Sequence, residues 1–91
     1  SKKKKNNQIK SKDKFIIVIA EFYSKKSANS LKERITDELT NFNSKKLFIK
    51  SNNVNKSTLL SGPYNSINLM KNDYIELKKF GFEDLNLNIY E

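Results

Sequence analysis

Residues 59–64 read Leu-Leu-Ser-Gly-Pro-Tyr, and an apolar helical pattern follows from Ile67 towards Phe80, Gly81 and Phe82. Phe15 to Ile35 has the same layout: a strand-like run, an aromatic at Phe22, a serine-containing corner, then a helix. Two strand-corner-helix units in one short chain point to a duplicated half-domain.

The first unit opens on Phe15-Ile16-Ile17-Val18-Ile19-Ala20, β-branched and unbroken by polar residues, as a central strand with apolar groups on both faces requires. From Ser27 the period changes, and Ala28, Leu31, Ile35, Leu39 and Phe42 recur at helical spacing with Lys32, Glu33, Asp37 and Glu38 opposite; Ser24 or Ser27 supplies the cap. Leu47 to Lys50 and Ser57 to Ser61 read as a hairpin around Asn52-Asn53-Val54-Asn55. Pro63 is expected to end the strand, and Asn65 or Ser66 to cap a second helix with the stripe Ile67, Met70, Tyr74, Leu77 and Phe80. Gly81 stands where a left-handed residue commonly closes a helix, and Phe82 is placed to pack back on the last turn. A final strand, Leu85 to Tyr90, alternates leucine and isoleucine with asparagine and tyrosine. The order β-α-β-β-α-β predicts an α+β fold: a ferredoxin-like, four-stranded antiparallel sheet with both helices on one face. Leu31, Ile35, Leu77 and Phe80 are then core residues.

Ninety-one residues make one domain with a small core and little room for a deep pocket. The net charge is +8, and six of those charges fall in residues 1–14, where seven lysines face Asp13 alone. This Lys/Asn/Gln stretch has too little apolar surface to offset its ordering entropy and reads as a flexible basic linker, residues 15–91 being the folded domain. The first residue is serine, with no signal-peptide pattern, which reads as a piece of a longer protein. No apolar run is long enough for a membrane span. Without histidine or cysteine, the usual general base and the thiol nucleophile are missing, and thiolate metal sites and disulfides are excluded. Glu33, Asp37 and Glu38, like Asp73 and Glu76, read as solvated helical carboxylates, and Glu83-Asp84 lacks the spaced oxygens of a calcium loop. No catalytic residue, cofactor or metal site is expected.

The stretch Phe15 to Tyr90 resembles the SPOR domain, the sporulation-related repeat that in bacteria binds septal peptidoglycan. The residues that carry the likeness are Phe22, Ser24, Ala28, Leu31 and Ile35 in the first half, and Gly62, Pro63, Tyr64, Ser66, Met70, Leu77, Gly81 and Phe82 in the second. The resemblance implies a non-catalytic module that recognises glycan strands stripped of stem peptides and targets a cell-wall or division protein to the septum, in the periplasm or cell envelope. An upstream hydrolase or lytic transglycosylase domain fits the same picture. The chain departs from the family pattern on the sheet: Val18 stands where the family commonly has glutamine, Ala20 and Glu21 where glycine and serine are common, and Ser57 and Thr58 where an aromatic and an arginine are common.

Alternation along the strands selects the side chains for such a site. With Ile17 and Ile19 towards the helices, Ile16, Val18 and Ala20 face the open side, joined by Thr58, Leu60, Phe48 and Tyr90. Phe48 and Tyr90 are candidates to lie under sugar rings, and Glu21, Ser57 and Thr58 to hydrogen-bond hydroxyls, around the apolar Val18 and Leu60. The expected partner is the peptidoglycan glycan strand, bound by a monomer or weak dimer, the alternative being protein association through the same face. RNA-recognition modules share this element order but stack bases on paired central-strand aromatics, which this chain lacks, so no nucleic-acid partner is expected.

Overall fold

The computed structural model describes residues 14–52 and 55–90; of the linker expected over residues 1–14, Lys14 instead begins the first strand, paired with Tyr90, and the rest, like the turn residues Asn53 and Val54, lies outside the described residues. The elements are β1 (Lys14–Phe22), α1 (Lys25–Glu38), a 3-10 turn (Ser44–Lys46), β2 (Leu47–Ser51), β3 (Ser57–Tyr64), α2 (Ile67–Phe80) and β4 (Asn86–Tyr90). The four strands form one antiparallel sheet in the order β2-β3-β1-β4, the ferredoxin-like α+β arrangement that the element order predicts.

Both helices begin at a serine. Ser24 Oγ accepts the backbone N–H of Ser27, and Ser66 Oγ that of Leu69, so each corner satisfies a donor the first helical turn leaves free. Helix α1 ends at Glu38, earlier than the apolar spacing predicts, and Leu39 and Phe42 pack from the loop that follows. At the end of α2, the Phe82 N–H reaches the Leu77 carbonyl and the Gly81 N–H that of Lys78, a paired closure that Gly81 permits with φ 126°. Phe82 stacks on Phe80 with ring centroids 5.6 Å apart, and the Arg34 guanidinium lies 5.4 Å from the Phe80 centroid, tying α1 to α2.

The core lies between the helices and one face of the sheet. Ile17, Ile35, Leu59 and Leu77 are fully buried there with Tyr64, and Leu31 and Phe80 pack against them half-buried. Ile67 is exposed, so the α2 stripe runs Met70, Asp73, Leu77, with Tyr74 and Phe80 flanking it. Both helices pack on β1 and β3, and α1 also on β2; neither packs substantially on β4.

Two irregularities change the facing of particular residues. The register between β1 and β3 shifts between Val18 and Ala20, so β1 spends two steps where β3 spends one. After this bulge Ala20 pairs with Leu59 and packs on the core, contrary to the uninterrupted alternation that sets it on the open side. The second shift lies between Phe15 and Ile17, opposite Gly62 and Pro63. It lets β3 continue to Tyr64, past the proline expected to end it, because at a bulge the missing proline N–H leaves no ladder bond unmade. The Gly62-Pro63 peptide is cis. A Cβ on Gly62, which has φ 148°, would sit 2.8 Å from Ile16 Cγ2 and 2.9 Å from the Phe15 carbonyl oxygen, so only glycine allows β1 and β3 to approach this closely.

Candidate functional site

The sheet face turned away from the helices is built in transverse rows. Phe48, Leu60, Val18 and Asn86 face one another in succession across β2, β3, β1 and β4. The next row runs Lys50, Thr58 and Glu21, and on the other side Ile16 pairs with Asn88. Leu60, at the centre, is only 5% exposed although no helix covers it, since Phe48 and Val18 flank it in the same row. The result is an apolar floor with polar groups at its margins. A shallow groove of about 610 Å³ runs over it, bordered by Ile16, Phe48, Lys50 and Leu60 and along β4 by Leu87, Asn88 and Ile89. Glu21 pairs with Lys56 at 3.6 Å at one end, an exposed ion pair of little energetic weight that leaves both groups available to a ligand.

Of the candidate residues, Val18, Glu21, Phe48, Thr58 and Leu60 share this face. Ser57 does not: it pairs with Phe22 on the helix side, is buried, and its hydroxyl is within 3.0 Å of Ser51 Oγ. The reason is the alternation of β3 itself, which puts Ser57 with Leu59 on the helix side once Thr58 and Leu60 face outward; the β1 bulge brings Glu21, and not Ala20, beside Thr58 on the open side. The backbone of Tyr90 pairs with Lys14, and its side chain lies outside the described residues. Ile16, Lys50 and Asn88 enter the site from the structure. All three share the facing of Val18, Phe48 or Tyr90 by alternation; which of them meet across the sheet is set by the strand register, which short polar-alternating runs do not reveal. The open-face residues of the two central strands, Ile16, Val18, Thr58 and Leu60, include no aromatic on which bases would stack.

A second polar constellation lies beneath the second corner. Asp73, expected to be solvated, is 3% exposed. Its Oδ2 accepts the Tyr64 hydroxyl at 2.7 Å, and its Oδ1 accepts the Asn43 backbone N–H at 3.2 Å and Asn72 Nδ2 at 3.4 Å. Ser61 Oγ lies 2.5 Å from the Tyr64 oxygen and donates to it, the tyrosine proton being committed to Asp73. Lys46 Nζ donates to the Pro63 carbonyl at 2.9 Å and stands 5.3 Å from the Tyr64 ring centroid. Burial pushes the Tyr64 phenol far above its ordinary pKa, with the Ser61 bond lowering it and the Asp73 bond and charge raising it. A hollow of about 360 Å³ opens beside these groups, rimmed by Asn41, Asn43, Asn68 and Asn72. The carboxylate has three donors and the phenol two partners, so the network is closed upon itself and its work is structural: it pins β3, α2 and the loop before β2 together. The signal for it was the spacing of Met70, Asp73 and Leu77, which puts the aspartate on the buried stripe.

Among the described residues no three acidic side chains converge to hold a metal, and no helix is long and apolar enough to cross a membrane. Comparison with family models, with curated proteins and with solved structures finds no match.

Proposed function

We propose that this chain is a non-catalytic module that binds peptidoglycan glycan strands on its open sheet face. By doing so it holds a bacterial cell-wall or division protein at the septum, in the periplasm. The observation that carries the reading is a sheet face left open by both helices, apolar at its centre and polar at its margins. Glycans present that pattern in reverse, with C–H faces on the rings and hydroxyl and amide groups around them. Phe48, Leu60, Val18 and Ile16 offer the floor for a ring face, and Lys50, Thr58, Glu21 and Asn88 the hydrogen-bonding margin. The resemblance of both corners to the SPOR pattern supplies the identity of the polymer. Catalysis has no part in the proposal: the bound strand meets neither a histidine nor a cysteine.

The test is cosedimentation with purified sacculi before and after an amidase has removed the stem peptides, for the wild type and a Phe48→Ala/Lys50→Glu variant. Both positions lie on edge strand β2 and neither is fully buried, so the variant is expected to keep its fold. Each lost contact is worth about 1 kcal/mol, so the pair together weakens binding by at least about tenfold, and the wild type pellets more with treated than untreated sacculi. Equal pelleting of the two proteins, or none by either, refutes the reading. A concentration-dependent dimer that this variant abolishes assigns the face to protein association instead.

A further inference from the structure

We infer that Lys50 and Thr58 set the specificity of the open face by reading the free carboxylate that stays on a glycan strand when a stem peptide is removed. The inference rests on the glycan reading above and goes beyond it to the group on the polymer that one end of the face selects. Lys50 and Thr58 are direct partners across β2 and β3, and Lys50 borders the groove beside Phe48 and Leu60. Partners of this kind have Cβ atoms about 5 Å apart, so an ammonium and a hydroxyl stand side by side, both able to donate to one acceptor. Among the described residues neither side chain has a hydrogen bond or an ion pair, although the polar groups around them are matched, Glu21 with Lys56 and Ser57 with Ser51. Two donors are left at the margin of the groove with nothing to receive them.

Charge sets the class of acceptor. Glu21 is the one carboxylate in the four strands, and it stands in the same row on the far side of Thr58, roughly 10 Å from Lys50 and beside Lys56. Two lysines against one acid leave this end of the face positive, and a compact ammonium is a ready partner for an oxyanion. Lys14 lies at the opposite end, beside Tyr90, and takes no part. A stem peptide is joined to its sugar by an amide, whose carbonyl oxygen is a neutral acceptor. Hydrolysis of that amide leaves a carboxylate in its place, and a carboxylate accepts from an ammonium in a charge-assisted bond about twice as strong as a neutral one. The face thereby tells stripped strands from intact ones by the charge at the attachment point, without touching the peptide.

Amidase-stripped strands in solution carry this carboxylate, and coupling ammonia to it with a carbodiimide restores a neutral amide without restoring the peptide. Isothermal titration is expected to show the wild type binding the carboxylate strands about fivefold more tightly than the amidated ones, the size of one exposed charge contact. Lys50→Gln, at an exposed position of an edge strand, is expected to lose that factor on the carboxylate strands and to bind both forms alike. Lys50→Arg is expected to keep the preference and Thr58→Val to lose part of it. Lys71→Gln, on α2 at the other side of the sheet, removes the same charge from the chain and is expected to leave the preference unchanged. A wild type indifferent to amidation, a Lys50→Gln protein that still prefers the carboxylate, or an equal loss in Lys71→Gln overturns the inference and leaves the glycan site standing. A wild type that binds neither form of the strand refutes the glycan site itself, and the inference with it.

Discussion

Tyr64 keeps its proton in a place where a phenolate is doubly unwelcome, with 1% of its surface exposed and the Asp73 carboxylate 2.7 Å away. The folded state therefore holds the proton more tightly than the unfolded chain, whose tyrosines ionise near pH 10. The stabilisation from this difference is complete below that pH and is lost as pH rises above it, because unfolding then releases the proton that folding retains. Urea titrations are expected to give constant stability from pH 7 to about 9 and a decline above about 10 that is steeper than in Tyr64→Phe. At neutral pH the Phe variant should be less stable by about 1–3 kcal/mol, since Asp73 and Ser61 both lose a partner. Coincident alkaline slopes for the two proteins would contradict this account. In phenolate absorbance, one of the four tyrosines should titrate only as the protein unfolds. At this scale the chain was half legible: the capping serines and Gly81 announce themselves by position, but an aspartate on a helix reads as solvated until the residues three before and four after it, Met70 and Leu77, are seen to be buried.

Helix α2 shows how much of an element depends on one stripe. Its cap, its closure at Gly81 and the apolar spacing were all readable, and Leu77 sits fully buried where the stripe meets the sheet. Truncating it to alanine leaves a cavity, and the expected cost is about 2–5 kcal/mol against the 5–15 typical of a whole domain. Thermal melting should show Leu77→Ala largely unfolded or much less stable. An unchanged melting temperature together with lost sacculus binding would mean that the helix, not the sheet, carries the ligand. The strands were harder to read. Their existence follows from β-branched runs, but the bulge near Ile19 has no glycine or proline to mark it, and its consequence is the exchange of facing that removes Ala20 from the open side and puts Glu21 there. Gly62-Pro63 looks like a terminator because proline lacks an N–H, and only the register shift opposite it explains why β3 passes through.

For the molecule as a whole, the order of elements sufficed to give the layered α+β architecture, because short antiparallel connections leave few alternatives. The open face was legible in its middle, where Val18, Leu60 and Phe48 meet, and illegible at its margins, where register decides. The two strand-corner-helix halves share a serine cap but are not equally fastened. Around the first corner Tyr23 is 86% exposed, and the cap's hydrogen bonds are local, from Ser24 to Ser27 and Ala28 of the same helix. The second is stitched by Tyr64, Asp73, Asn43 and Lys46 across three parts of the chain. The duplicated halves are therefore unequal in lifetime. Native-state amide exchange is expected to find the opening turns of α1 exchanging through fluctuations that leave β3 and α2 closed, while the Met70 to Leu77 amides exchange only when everything opens. Uniform protection through both helices would show the halves to be mechanically equivalent. Otherwise the domain holds its second half as an anchor and lets the first breathe.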